Sequence, residues 1–236
     1  YLSYLLKRYV FHESGTLVSG IIGGLYSSTA TISVLARKSR KASEQEATDY
    51  VAAMLLAVSM MFLRFMILIL IFSREIFLSI YPYLLTMAVV AAIVAWFIHS
   101  RQKRPEDQPA ETEEDDSSNP LEFKVALIFA VLFVIFTFLT HYTLVYAGTG
   151  GLNLLSFVSG FSDITPFILN LLQNTGSVAA LIITACSMQA IISNIMVNMF
   201  YALFFAGKGS KLRPWILGGF GVVIACNLVL LLFFYI

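Results

Sequence analysis

Apolar stretches of about 20 residues, parted by short polar breaks, recur along the whole chain, and each is long enough at 1.5 Å per residue to cross roughly 30 Å of hydrocarbon. Seven spans are expected, at Gly15 to Ala36, Tyr50 to Phe72, Ile76 to Ile98, Val125 to Ala147, Leu152 to Leu172, Ser177 to Ala206 and Trp215 to Ile236. A shorter apolar stretch, Tyr1 to Phe11, carries Lys7 and Arg8 near its end and reads as the last turns of an earlier helix or as an interfacial segment. Its charges follow the apolar residues instead of preceding them, the reverse of a cleavable signal peptide. The pattern predicts an all-α fold, a polytopic transmembrane helical bundle of about seven spanning helices plus a partial N-terminal helix.

One polar stretch stands apart. Arg101 to Glu122 contains Pro105, Pro109 and Pro120 and holds eight of the fourteen acids. It cannot bury enough apolar surface to fold and reads as a disordered, solvated linker, with an acidic docking tail as the alternative. The predicted organisation is a first membrane half over 1–100, a linker over 101–122 and a second membrane half over 123–236.

Composition agrees with this reading. Of 236 residues, 58% are apolar and only 12% charged, which excludes a single soluble domain. The net charge of +1 offers no electrostatic argument for a nucleic-acid partner. Cys186 and Cys226 both lie inside apolar runs, where small thiols serve helix packing more readily than a disulfide or a metal site.

Orientation follows Lys and Arg in the short loops. If each stretch crosses once, Arg37, Lys38, Arg40 and Lys41 share a side with Arg101, Lys103, Arg104 and Lys124, and that side is placed in the cytoplasm. Arg74, Lys208, Lys211 and Arg213 then fall outside, as do Lys7 and Arg8. A re-entrant segment would account for such exceptions.

Two stretches echo one another. Val18-Ser19-Gly20 and Val158-Ser159-Gly160 each lead through small polar residues into an aliphatic run and then into a long span. With four crossings between them, the two halves are expected to be parallel pseudo-repeats with broken helices. The run from Gly20 to Thr31, with Ala36-Arg37, and the later Ser159-Gly-Phe-Ser-Asp163 resemble the membrane domain of unknown function, family 4010, that commonly follows an MgtC/SapB-like module. That resemblance implies a multi-pass protein of the prokaryotic inner membrane, loosely associated with magnesium or stress physiology. One position departs from the family pattern: Thr165 stands where a further acid is usual, which argues against a mechanism needing two neighbouring carboxylates.

Several polar residues inside apolar runs are candidates for function. Arg64 sits near the middle of its run, where an Arg costs about 2.5–3.5 kcal/mol to insert and must face protein or water. Ala53, Ala57, Met60 and Arg64 share a helical face of mostly small residues, and Gly20 and Gly24 have the spacing of close helix contacts. Arg64 therefore reads either as a lock between two helices or as a ligand-binding group. Asp163 lies between Gly160 and Pro166, a setting for a helix break, and with Ser162 and Thr165 forms the candidate ion or proton site. Its alternative role is an N-cap for the helix that follows. Ser27, Ser28, Thr29, Thr31 and Ser33 either back-bond to the preceding turn or supply hydroxyl ligands. Ser187, Asn194 and Asn198 share a stripe that lines a polar pathway or binds helices together, with Gln189 and Ser193 beside it. His12, His99 and His141 are too scattered for a metal site.

Neither a phosphate loop nor a nucleophile paired with a base is present, so no enzyme and no cofactor is expected. The sequence reads as a transporter or channel-like permease for an ion or small solute, its site between the two broken motif helices. Asp163 would serve as ligand, Arg64 as its partner or a substrate anchor, and Ser27, Ser28 and Thr31 as neutral ligands. The alternative is a non-transporting regulatory or assembly protein. The expected partners are the lipid bilayer, the solute and, as a further option, a second copy of the chain.

Overall fold

A computed structural model describes residues 15–40, 42, 44–101, 121–161, 164–173, 178–207 and 210–235. All the regular structure in these residues is helical: α1 (Thr16–Lys38), α2 (Glu44–Phe72), α3 (Arg74–Ser100), α4 (Leu121–Ser159), α5 (Ile164–Gln173), α6 (Ala180–Ala206) and α7 (Arg213–Tyr235). Five of these helices contain a stretch long and apolar enough to cross a membrane: Thr16–Lys38, Thr48–Phe72, Arg74–Ser100, Ala180–Ala206 and Arg213–Phe233. Gly150–Ser159 and Ile164–Gln173 are shorter apolar helices.

The expected span over Leu152 to Leu172 is therefore two short helices. The first closes at Ser159 and the second opens at Ile164. The physical cause was legible locally, since Pro166 lacks a backbone donor and Gly160 favours neither helix nor strand. The expected span over Val125 to Ala147 falls within α4, which is interrupted at Gly148 with φ 59. α1 is interrupted too, because Ser27 is extended at φ −155 and ψ 108.

The chain forms two compact units, each drawn from separate segments. The first comprises Tyr1–Phe65, Tyr83–Asp115 and Asn198–Cys226. Within it α2 and α3 pack antiparallel: Asp49 meets His99, the Ser59 hydroxyl donates to the Ala88 carbonyl, and Phe62 packs edge-on to Tyr83. Phe62, Phe65, Leu55, Leu84 and Phe220 are buried in its core. The second unit comprises Met66–Pro82, Asp116–Val197 and Asn227–Ile236, with Phe167, Ile168, Leu171, Ile183 and Ile191 buried.

The outward faces carry large apolar side chains, among them Ile71, Trp96, Tyr146, Leu181, Phe204 and Phe233. So much exposed apolar surface does not suit water and defines a lipid-facing exterior. The acidic linker is outside the described residues except for Arg101, Leu121 and Glu122.

Candidate functional site

Small residues bring α1 and α2 together. A Cβ at Gly20 would collide with the Ala53 backbone, and one at Gly24 would stand 2.5 Å from the Ala57 Cα. The face expected from Ala53 and Ala57 is thus occupied by the two glycines of the first motif, and the backbones touch without side chains between them. Both contacts advance together along the two helices, so the first part of α1 runs parallel to α2.

Beyond Gly24 the helix breaks, and two groups freed at the break find partners. Ser27 leaves the helix, and its Oγ accepts the Ala30 backbone N–H at 3.3 Å, which makes Ser27 the N-cap of the second half of α1. Just before it, the Tyr26 carbonyl accepts a 2.6 Å hydrogen bond from Arg64 Nη1. The guanidinium thereby meets the C-terminal, electronegative end of a half-helix. The bend is sharp: a Cβ at Gly23 would lie 2.5 Å from Thr31 Oγ1, eight residues on, although such residues stand about 12 Å apart along a straight helix.

The hydroxyl cluster divides in its roles. Ser33 back-bonds to the Thr29 carbonyl at 2.8 Å, while Ser28 and Thr31 are buried just past the break. Arg64 is held beside this group through Tyr26. Ser162 and Asp163 lie outside the described residues, and with them the expected approach of Asp163 to Arg64. Thr165 is half-buried in the first turn of α5.

The second break is served in a similar way by α6. Ser193 Oγ donates to the Phe157 carbonyl at 2.6 Å, and Asn194 Nδ2 donates to the Gly160 carbonyl at 3.2 Å. Both acceptors lie where α4 ends, Phe157 in its last turn and Gly160 just past it. A Cβ at Gly160 would collide with the Ser193 side chain, which explains the glycine. Lower on the same contact, Ser156 Oγ lies 2.7 Å from Gln189 Oε1, and Cys186 Sγ lies 3.5 Å from Asn153 Oδ1. Ser187 back-bonds to the Ile183 carbonyl at 2.8 Å, and Asn198 is buried.

Two arrangements are not apparent in the sequence. His99 Nδ1 lies 2.6 Å from Asp49 Oδ1, although neither residue belongs to a recognisable motif. Arg40 donates through Nε to the Phe205 carbonyl and through Nη2 to the Phe204 carbonyl at 3.2 Å, while Arg37 stacks 4.3 Å over the Phe205 ring. The run of bases after α1 signals a membrane edge, but its attachment to a helix 165 residues away has no local sequence mark. Among the described residues, no group of three His, Cys, Asp or Glu side chains is placed to hold a metal ion.

Long apolar helices, a lipid-facing exterior and polar groups gathered at helix breaks define a multi-pass helical membrane protein. The chain belongs to the family of the domain of unknown function DUF4010, whose model matches residues 1–206. It is similar to an uncharacterized protein of Aquifex aeolicus (strain VF5), 24% identical over 227 residues that cover 94% of this chain and 96% of that one. No solved structure matches it.

Proposed function

We propose that the protein is a permease for an ion or small solute, with the break at Ser27 on the solute path. The observation that carries this reading is the interruption of an apolar, span-length helix where Arg64 supplies a charged donor to the Tyr26 carbonyl. Non-helical backbone at membrane depth is tolerated inside protein or along a cavity, and transporters use interrupted helices to present backbone groups to solutes. In this reading Arg64 anchors the solute or balances its charge, Ser28 and Thr31 offer neutral ligands, and Ser162, Asp163 and Thr165 form an ion or proton site. On α6, Ser187, Asn194 and Asn198 are the candidate lining of a polar path. No bond is made or broken in the solute. The family resemblance supports a setting in the prokaryotic inner membrane beside an MgtC/SapB-like module.

A regulatory or assembly role is the second reading. It is favoured by the direction of the observed hydrogen bonds, since Arg64, Ser193 and Asn194 all donate to backbone carbonyls of the same chain. Purified protein in liposomes under cation, anion and proton gradients separates the two. Flux above that of empty liposomes, reduced by Asp163→Asn or Arg64→Gln, is the expected result. Folded wild-type protein that passes nothing under any gradient would leave the regulatory reading standing.

A further inference from the structure

We infer that the two motif segments do not cross the membrane: each is a helical hairpin reaching half-way, the first opening to the cytoplasmic face and the second to the opposite face, within an inverted repeat.

Depth settles the first hairpin. Gly20 lies level with Ala53 and Gly24 with Ala57, and the Tyr26 carbonyl is bonded by Arg64, so the break at Ser27 stands beside the middle of α2. The chain must then return from mid-depth to the face where α2 begins. The second half of α1 provides that return, because its eleven residues, 28–38, reach about 16 Å at 1.5 Å each, half the hydrocarbon thickness. The sharp bend that brings Thr31 against Gly23 is the hairpin tip.

The same geometry recurs after Gly148. There a Cβ on Gly151 would stand 2.6 Å from the side chains of Thr143 and Ala147, so the chain has turned back on the preceding helix. Asn153 then meets Cys186, Ser156 meets Gln189, and Gly160 meets Ser193, which again is a parallel advance beside the following helix, here α6. Ser193 is the midpoint of Ala180–Ala206, so this tip also lies at half depth. Because Gly160 lies beside Ser193 while α6 starts at Ala180, the chain must return before α6 begins, and the ten residues of α5 are long enough, about 15 Å, to make that return.

Counting crossings gives the sides. α2 and α3 are long and apolar enough to cross, and the stretch of α4 before Gly148 has the length to cross, about 40 Å at 1.5 Å per residue. With one crossing each, α6 enters from the face opposite to α2, and so does its hairpin. α6 then returns the chain to the first face. The Arg40 bonds to the carbonyls of Phe204 and Phe205 require this, because they place the end of α6 on the side of residue 40. One more crossing over 152–172 would put them on opposite faces. The basic loops agree: 37–41, 101–104 and 208–213 all become cytoplasmic, and from residue 15 onward Arg74 is the only loop base left outside.

The repeat changes character as well. Gly20 and Gly160 end the two Val-Ser-Gly motifs, and each meets the residue 33 positions on, the separation that also joins Asn153 to Cys186 and Ser156 to Gln189. The parallel relation expected from the sequence assumed that both motifs span. Because three crossings, those of α2, α3 and the first part of α4, separate the start of α2 from the start of α6, the repeat is inverted, the form in which transporters offer one site to each face in turn. The topology stands without the permease reading; joined to it, each tip would be approached from its own face.

Single cysteines in a Cys186→Ser, Cys226→Ser background, labelled with a membrane-impermeant maleimide, test the arrangement. Gly15→Cys, Arg101→Cys and Lys211→Cys should label only in inside-out vesicles, and Gly150→Cys and Ala179→Cys only in right-side-out ones. If both motif segments crossed, Gly15→Cys and Lys211→Cys would label with Gly150→Cys, and Ala179→Cys with Arg101→Cys, overturning the inference. Trypsin on the unmodified chain gives a second reading, since cleavage over 208–213 is expected in inside-out vesicles alone. Cleavage there only in right-side-out vesicles would refute the second hairpin.

Discussion

Arg64 Nη1 sits 2.6 Å from the carbonyl oxygen of Tyr26, the last helical residue before Ser27 turns out of the helix. An arginine in an apolar run needs a counterpart, and a carboxylate is the obvious one. Here the counterpart includes the end of a half-helix, where unsatisfied carbonyls carry roughly half a negative charge. The guanidinium and the break stabilise each other, so the sequence cannot lose one without exposing the other.

Arg64→Gln should lower stability by about 1.5–3 kcal/mol, the range for a hydrogen bond to a charged group. Reaction of the buried Cys186 thiol with a maleimide dye during heating in detergent would report the shift. Combined with Asp163→Asn in a double-mutant cycle, additive effects would mean that the two residues act apart, and coupling would mean that they share a network.

The α1–α2 contact predicts a graded glycine series. Gly20→Ala and Gly24→Ala push a methyl group into the α2 backbone and should each cost about 1–3 kcal/mol, as overpacking does. Gly15→Ala meets nothing within 4 Å and should change the unfolding midpoint little.

Ser27 should behave as a cap. Ser27→Ala is expected to cost about 0.5–2 kcal/mol and Ser27→Gly only a few tenths, because glycine is itself tolerated at an N-cap. Equal losses in thermal unfolding would show that the Ala30 hydrogen bond is incidental.

At the second break, Asn194→Leu removes a donor from the buried Gly160 carbonyl and should cost about 1–3 kcal/mol. Ser193→Ala should cost less, since the Phe157 carbonyl also accepts the Gly160 N–H at 3.3 Å. The order of the two unfolding midpoints checks this.

Much of the helical layout is legible in the sequence. Apolar runs mark the helices, the spacing of Gly20 with Gly24 and of Ala53 with Ala57 marks two close-packing faces without saying that they meet, and Gly160 with Pro166 marks a break. Direction is not legible. Hydropathy sums over residues without regard to where the chain is heading, so two half-length helices folded at Ser27 score as one span. The Arg40 bonds are hidden for a related reason, because the partners are backbone carbonyls of Phe204 and Phe205, and a carbonyl is the same at every residue. Arg64 and Ser27 stand out in the sequence by residue type, while the partner of each depends on how the helices meet.

The bond from Arg64 to Tyr26 also bears on how the protein is made. As the chain emerges, α1 is synthesised well before Arg64, and its Tyr26 carbonyl has no donor from α2 during that interval. A break left in hydrocarbon without that donor is unfavourable, so the first motif should wait at the membrane surface and sink only when α2 arrives beside it. Insertion of this segment would then follow that of α2, and the order of burial would differ from the order of synthesis.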